Sequence, residues 1–286
     1  MILVFGKTGQ VARELARLAP EVRFLGRTEA DLSDPAICAA AIQTLRPRAV
    51  INAAAYTAVD RAETDEESAT VVNGLAPEAM AQACAVLNVP MVQISTDYVF
   101  DGSGTQPFAP DHPTGPLGAY GRSKLRGEIG VRGAGAAHVI LRTSWVFSAH
   151  GTNFVKTMLR FGAERDLVRV VADQVGGPTP ARAIAVTCLR CAHALCDDPS
   201  LSGTYHLAGQ PLVSWAEFAR AIMQAAGLSC VVQDIPSSDY PTPARRPLNS
   251  RLDCSTLVAS FGITLPDWQE ELAAILAELE QAQDAT

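Results

Sequence analysis

Ile2-Leu3-Val4-Phe5-Gly6-Lys7-Thr8-Gly9-Gln10-Val11-Ala12 reads as a short buried strand, a glycine turn and the opening of a helix. Four consecutive apolar residues suit a strand covered on both faces, as in a parallel sheet. Gly6 and Gly9 let the backbone turn tightly and approach a pyrophosphate, whose charge would rest at the positive helix N-terminus. Ala12 stands where a third glycine is common and still permits close packing of helix on strand. The spacing also fits an ordinary strand–helix turn, but its place on the first strand of the chain favours a dinucleotide site.

Outward from this start, apolar strands alternate with amphipathic helices. Strands are expected at Glu21–Leu25, Ala49–Asn52, Met91–Ser95 and His138–Thr143, with helices at Gln10–Leu18, Pro35–Leu45, Glu66–Val72 and Pro77–Leu87. Such alternation implies parallel strands joined by right-handed crossovers, and so an α/β fold with a Rossmann-type doubly wound parallel sheet. After Trp145 the pattern loosens. A helix at Phe154–Arg165 and a strand at Val168–Val171 precede the turn cluster Gly176-Gly-Pro-Thr-Pro180, and helices follow at Ala183–Leu195 and Ser214–Ala226. Ser214 as N-cap with Glu217 three residues on makes a capping box. The expected division is an NAD(P)-binding Rossmann domain over 1–172 and a smaller C-terminal α/β substrate domain over 173–286. A strand near 204–208 would return to the first domain. The segment Asp239–Asn249, with prolines at 241, 243 and 247 beside Arg245 and Arg246, is too irregular for the core and suits a ligand-contacting loop. Asp267–Gln283 reads as an acidic amphipathic helix.

With 286 residues, 48% hydrophobic and 19% charged, the chain is a folded globular protein and not a disordered one. A formal net charge of -7 gives no reason to expect nucleic acid or an anionic membrane as partner. The first residues show no signal-peptide pattern and no apolar run is long enough to span a bilayer, so the expected location is cytoplasmic. Seven cysteines at irregular spacing are then expected to be free thiols. Cys188-Leu-Arg-Cys191, with His193 and Cys196, invites a zinc reading, but no matching second pair exists and the stretch is helical and apolar.

Tyr120-Gly-Arg-Ser-Lys124 supplies the chemistry. Residues four apart share a helix face, and an ammonium beside a phenol favours the phenolate. Tyr120 is therefore expected to have a lowered pKa and to serve as proton donor, the arrangement used for hydride transfer to or from a carbonyl. Thr96 ends a strand where parallel sheets bind ligands and could hold the substrate oxygen, although a plain helix cap is the simpler role. At the end of the second strand an acidic residue would grip the ribose of NAD, whereas here Leu25-Gly26-Arg27-Thr28 offers Arg27 to a 2′-phosphate. NADPH is favoured, with NADH the alternative, and Asp31-Leu32 could line the adenine. The small residues of Asn52-Ala-Ala-Ala-Tyr-Thr57 would let a cofactor lie against the backbone.

Together Gly6-x-x-Gly-x-x-Ala12, Asn52-Ala-Ala-Ala, Ser95-Thr-Asp-Tyr-Val-Phe-Asp-Gly102 and Tyr120-x-x-x-Lys124 resemble the extended short-chain dehydrogenase/reductases acting on nucleotide sugars. Four further stretches are similar to the dTDP-4-dehydrorhamnose reductase family: Arg142–Phe147, Asn153–Leu159, Asp173–Thr179 and Tyr240–Arg251. This resemblance covers almost the whole chain. It implies reduction by NAD(P)H of the C4 ketone of dTDP-6-deoxy-L-lyxo-4-hexulose, the last step of dTDP-L-rhamnose synthesis. By the same resemblance Thr96, Tyr120 and Lys124 are catalytic. Gly6, Gly9, Gln10, Val11, Arg27, Asp31, Leu32, Ala55, Tyr56 and Thr57 meet the cofactor together with Tyr120 and Lys124. Thr96, Asp97, Val99, Phe100 and Trp145 meet the sugar, and Arg246 and Asn249 the diphosphate. Some relatives dimerise around magnesium held by glutamates. Here Arg182 replaces one of them while Glu14 remains, so no metal is expected to be required, and the chain is expected to be a monomer or weak homodimer. A 4,6-dehydratase is disfavoured because Thr96-Asp97 is followed by Tyr98 and not a second carboxylate. A 4-epimerase remains a rival on the same fold. A non-catalytic NADP-binding regulatory subunit, of the methionine adenosyltransferase type, is disfavoured by the complete Thr96, Tyr120 and Lys124 set.

Overall fold

The structure, a computed structural model, describes residues 1–284. In the first half β1 (Ile2–Phe5), β2 (Arg23–Leu25), β3 (Ala49–Asn52), β4 (Met91–Thr96) and β5 (His138–Thr143) alternate with helices. These are α1 (Gln10–Leu18), α2 (Pro35–Leu45), α3 (Val59–Ala62), α4 (Glu66–Thr70), α5 (Ala76–Leu87) and α6 (Ala119–Gly133). Beyond them run β6 (Val146–Phe147), α7 (Phe154–Glu164), β7 (Leu167–Val171), β8 (Val175–Gly176), β9 (Thr179–Pro180) and α8 (Ala181–Asp197). The chain ends with β10 (Gly203–Leu207), β11 (Val213–Ser214), α9 (Trp215–Ala225), β12 (Val231–Ile235), β13 (Asn249–Ser250), α10 (Ser255–Phe261) and α11 (Trp268–Asp284).

The local signals act as their chemistry requires. Asp34 caps α2 by accepting from Ala36 N, and Pro35 occupies the first turn where no N–H is needed. The capping box at α9 closes both ways: Glu217 N donates to Ser214 Oγ (3.1 Å) and Ser214 N to Glu217 Oε2 (2.6 Å). One expected helix differs. Glu66–Val72 does not stop at its predicted end but passes through a π-helical turn, Val71–Leu75, directly into α5. That turn carries Asn73, which is buried and bonded to two other segments.

Six parallel strands form the central sheet in the order β10-β5-β4-β3-β1-β2. The order reverses between β1 and β3, and a doubly wound sheet binds its ligand at the carboxyl ends on either side of such a reversal. Side chains of β1 alternate between two cores. Ile2 and Val4 meet α1, α8 and α10 through Leu15, Ile184, Cys188, Leu257 and Phe261. Leu3 and Phe5 meet α2 and α5 through Cys38, Ile42, Met80 and Cys84. A third core gathers α7, β7, α9 and α11 around Val155, Val168, Phe218 and Trp268. There β7 pairs in parallel with β12.

These cores cross the expected boundary at residue 172 in both directions. Ahead of it, α7 and β7 pack into the third core; beyond it, α8, β10 and α10 pack onto the main sheet. The predicted return of a strand near 204–208 is β10, paired with β5 from Gly203↔Val139 to Leu207↔Thr143. Cys188 and Cys191 face this core, and all seven thiols are free. Among the described residues no helix is long and apolar enough to cross a membrane, and no group of three or more His, Cys, Asp or Glu side chains could hold a metal ion.

Candidate active site

At the carboxyl edge of β1, Gly6 takes φ +108°, and a Cβ there would meet Ala53 C and Ala54 N at 3.2 Å each. Only glycine fits this backbone, and it brings the β1 turn against the end of β3. Gly9 then caps α1 without any side-chain bond, leaving the first backbone N–H groups of the helix toward the cleft. Ala55 and Thr57 are exposed beside it and Tyr56 is half-buried. A cradle of this shape, with a free helix N-terminus, fits the pyrophosphate of a dinucleotide. Arg27, just past the end of β2, is 89% exposed and lies 3.8 Å from Asp31. The Asp31 carboxyl is held below its ordinary range, first by the Ser33 N–H.

Three expected cofactor contacts have their side chains engaged elsewhere. Val11 and Leu32 are buried in the two sheet cores, so only their backbone can face the cleft. Gln10 Oε1 accepts from Ser148 Oγ and Asn153 Nδ2, both at 2.9 Å, and ties α1 to the start of α7.

Tyr120 and Lys124 project from the first turns of α6 toward the end of β4. Lys124 Nζ donates to Ile94 O at 2.7 Å. Burial pushes its pKa down to about 8, against the opposing charge of Glu128. Tyr120 does not show the lowered pKa expected from the spacing. Burial, with the Asp97 charge added, pushes its phenol up to about 12, and a hydrogen bond with Thr96 only partly opposes this. Desolvation of the phenolate decides the direction, and the Lys124 ammonium is turned to the Ile94 carbonyl. The consequence is a tyrosine that keeps its proton at neutral pH, the state a proton donor requires.

Thr96 is buried, and its hydroxyl donates to Asp97 Oδ1 at 3.0 Å. Burial raises the Asp97 carboxyl to about 6, although Ser250 and Thr96 bond to it. Its Oδ2 is enclosed with no protein partner, which leaves one acceptor unused beside Thr96. Tyr98 packs edge-on against Tyr120 with ring centroids 5.5 Å apart.

The substrate-side expectations divide. The side chains of Val99 and Phe100 are fully buried with Phe108 and Leu252, and Phe100 stacks on Phe108 at 4.4 Å. The 3-10 turn Asp97–Val99 buries both its first residue and its last. The Asn249 side chain is likewise engaged within the protein. Its amide donates to Ser103 O and Gln106 O and its oxygen accepts from Arg251, so its bonding capacity brings loops together. Arg246 is half-buried beside Asp60. Nη2 bonds Asp60 Oδ2 at 2.7 Å while Nη1 is enclosed without a partner. Trp145 takes a left-handed backbone, φ +48°, and stacks on Trp215 at 3.7 Å, so one ring face is already covered.

Several site residues escaped the sequence reading. Glu128 lies on the same face of α6, one turn past Lys124, and continues a visible four-residue spacing. It accepts from Ser95 Oγ (2.6 Å) and from Arg142 Nε (2.9 Å) and Nη2 (2.7 Å). Burial works against its charge, but Arg142 and Ser95 hold the carboxyl below its ordinary range. One carboxylate thereby fixes α6, β4 and β5 together. Asp60, Tyr98, Trp215 and Ser250 had no signal beyond residue type.

Sequence and structure comparisons agree with this geometry. Residues 1–281 match the family described as RmlD substrate binding domain. The chain is 44% identical over 294 residues to a dTDP-4-dehydrorhamnose reductase of Sinorhizobium fredii, covering 99% of both chains. Over 296 residues it is 44% identical to that of Burkholderia thailandensis, covering 97% of this chain and 98% of the relative. The solved dTDP-4-dehydrorhamnose reductase of Bacillus anthracis, in complex with NADP, superposes with a TM-score of 0.90 at 33% identity, covering 97% of this chain and 98% of the other.

Proposed function

The chain belongs to the dTDP-4-dehydrorhamnose reductase family, and from that premise we propose that it reduces the C4 ketone of dTDP-6-deoxy-L-lyxo-4-hexulose to dTDP-L-rhamnose with NADPH, Tyr120 giving the proton. The observation that carries the reading is the juxtaposition of a protonated, buried Tyr120 with Thr96 and the Lys124 ammonium at the carboxyl end of β4. The glycine cradle of β1 and α1, with Ala55 to Thr57, would hold the dinucleotide, and Arg27 its 2′-phosphate. When bound, the reduced nicotinamide supplies the hydride.

The protein's own groups do the rest. Thr96 orients the ketone oxygen toward Tyr120, and Tyr120 protonates that oxygen as negative charge develops on it. A donor aimed at charge that appears only in the transition state lowers the barrier more than it tightens ground-state binding. Asp97 Oδ2 accepts a sugar hydroxyl, a role consistent with its enclosed, unpartnered position. Lys124 holds positive charge beside the reacting centre, and Arg246 offers Nη1 to the diphosphate through a charge-assisted bond. Trp145 borders the sugar with the ring face that Trp215 leaves free. The lobe around α7, α9 and α11 is the substrate side of the molecule. The enzyme acts in the cytoplasm as a monomer or weak homodimer, with no magnesium requirement: Arg182 is exposed at the start of α8, and Glu14 pairs with His150 at 3.1 Å.

Tyr120→Phe tests the assignment. Turnover of NADPH with the keto-sugar nucleotide is expected to fall at least about 100-fold, with NADPH affinity held within about twofold. Equal losses of binding and rate would make Tyr120 a structural residue and remove the reading.

A further inference from the structure

The catalytic helix α6 begins without a cap of its own. Gly118 is its N-cap residue, with extended backbone and no side chain to accept from the first-turn N–H groups. Glu63, 56 residues earlier in the chain, reaches across and accepts from Ala119 N at 2.8 Å. Ala119 immediately precedes Tyr120, so this bond lies one residue from the proton donor. The position of Gly118 is shaped for it: a Cβ there would stand 2.5 Å from Glu63 Oε1. A carboxylate at a helix N-terminus gains both the hydrogen bond and the favourable end of the helix dipole.

Glu63 ends α3, which follows the cofactor stretch Ala55–Thr57 within a few residues. Ala62, Ala69 and Ala119 form a small buried cluster on which Tyr56 and Tyr120 both pack. Asn73 grips the same stretch, accepting from Tyr56 N (2.8 Å) and donating to Tyr56 O (3.0 Å) and to Ser123 Oγ (3.0 Å). The cofactor segment is thus joined to α6 beside each of its two reactive residues. One join lies through Glu63 next to Tyr120, the other through Asn73 and Ser123 next to Lys124.

We propose that Glu63 is a positioning residue for the reduction: by capping α6 from the cofactor side, it sets the first turn of that helix and places the Tyr120 hydroxyl against the ketone. The proposal rests on Tyr120 being the proton donor. It deepens that reading by making the placement of the donor depend on a segment that the cofactor touches. Glu66 provides the contrast. It clamps the same helix by a two-bond ion pair with Arg122 (2.7 and 2.8 Å), but both side chains are partly exposed and the bonds go to a side chain and not to the backbone N–H groups of the first turn.

The experiment compares four variants of the full-length enzyme by steady-state kinetics, NADPH titration and thermal unfolding. Glu63→Ala is expected to lower kcat about 10- to 100-fold, because a small misplacement of a reacting group has that effect, with NADPH affinity nearly unchanged. Glu63→Gln keeps a carbonyl acceptor and should restore kcat to within about threefold of the parent. Gly118→Ala, which leaves the carboxylate in the chain but displaces it, should reproduce the Glu63→Ala loss. Glu66→Ala removes an exposed clamp on the same helix and should lose little thermal stability while keeping kcat within about twofold. The proposal is overturned if Glu63→Ala keeps full kcat, if Glu66→Ala loses as much rate, or if NADPH affinity falls in step with kcat. Retained turnover in Tyr120→Phe would instead refute the underlying assignment, whatever Glu63 does.

Discussion

Lys124 carries a charge that burial works against, and this gives the enzyme a defined alkaline limit. Its pKa is pushed down to about 8, while Tyr120 stays protonated up to about 12. As pH rises through about 8, Lys124 therefore loses its proton well before Tyr120 does. The expected outcome is a fall in kcat/KM that approaches tenfold per pH unit above that point. The same shift has the opposite sign for stability. With its folded pKa below the unfolded value of about 10.4, the unfolded chain binds more protons between these values, so Lys124's contribution to stability rises with pH there. Loss of rate at pH 9 without loss of thermal stability would identify titration and not unfolding as the cause. In Lys124→Met the limb should vanish and the plateau should drop; a limb that persists near pH 8 would sink the assignment. At this scale the sequence was a good guide where a residue type has one use. Tyr120, Lys124 and Gly6 stand where their spacing placed them. Spacing could not show what burial decides: the side chains of Val99, Phe100 and Asn249 serve the interior.

Helix α6 is held by the absence of side chains as much as by their presence. A Cβ on Gly121 would run into the Tyr98 carbonyl oxygen, and one on Gly127 into that of Asn73. Both neighbours are backbone and cannot swing aside, so the helix approaches the 3-10 turn Asp97–Val99 and the π-helical turn more closely than any other residue would allow. Gly127→Ala is expected to destabilise the fold by about 1–3 kcal/mol, the usual cost of forced overpacking, despite the better helix propensity of alanine. Urea denaturation measures it; a midpoint equal to or above the parent's would refute the close packing. Because Asn73 also grips Tyr56, the variant should bind NADPH more weakly as well. Elements bounded by strong local signals were legible: Pro35 and Asp34 start α2, and Ser214 with Glu217 starts α9. The π-helical turn was not, since nothing in Val71–Leu75 distinguishes one extra residue per turn from an ordinary helix. The purpose of Gly121 and Gly127 in α6 shows only against the facing carbonyls.

For the whole molecule, periodicity tells which face of an element is buried but not which part of the chain covers it, and here the covering segments are interleaved. Cutting at the boundary suggested by the sequence, after residue 172, would strip α8, β10 and α10 from the sheet and α7 and β7 from the third core. Ile184, Leu195, Leu207, Leu257 and Phe261 alone represent roughly 10 kcal/mol of burial at about 2 kcal/mol each, as large as the whole stability of an ordinary domain. Residues 1–172 should therefore not fold alone, and the full chain should unfold in one transition. The tryptophans make this measurable. Trp145, Trp215 and Trp268 are the only three in the sequence; the last two pack in the third core, and Trp145 stacks on Trp215. Their fluorescence reports that lobe, while far-ultraviolet circular dichroism reports the sheet and helices of the entire molecule. The two signals should give coincident urea transitions, and a mixture of the two fragments should regain structure that neither has alone. A cooperative transition in the isolated 1–172 fragment, or separated midpoints in the intact chain, would show that the lobes are independent and that the interleaving carries little of the stability. Coincidence would mean that the substrate side cannot loosen without the cofactor side, which is the mechanical condition for the joins between Ala55–Thr57 and α6 to act across the molecule.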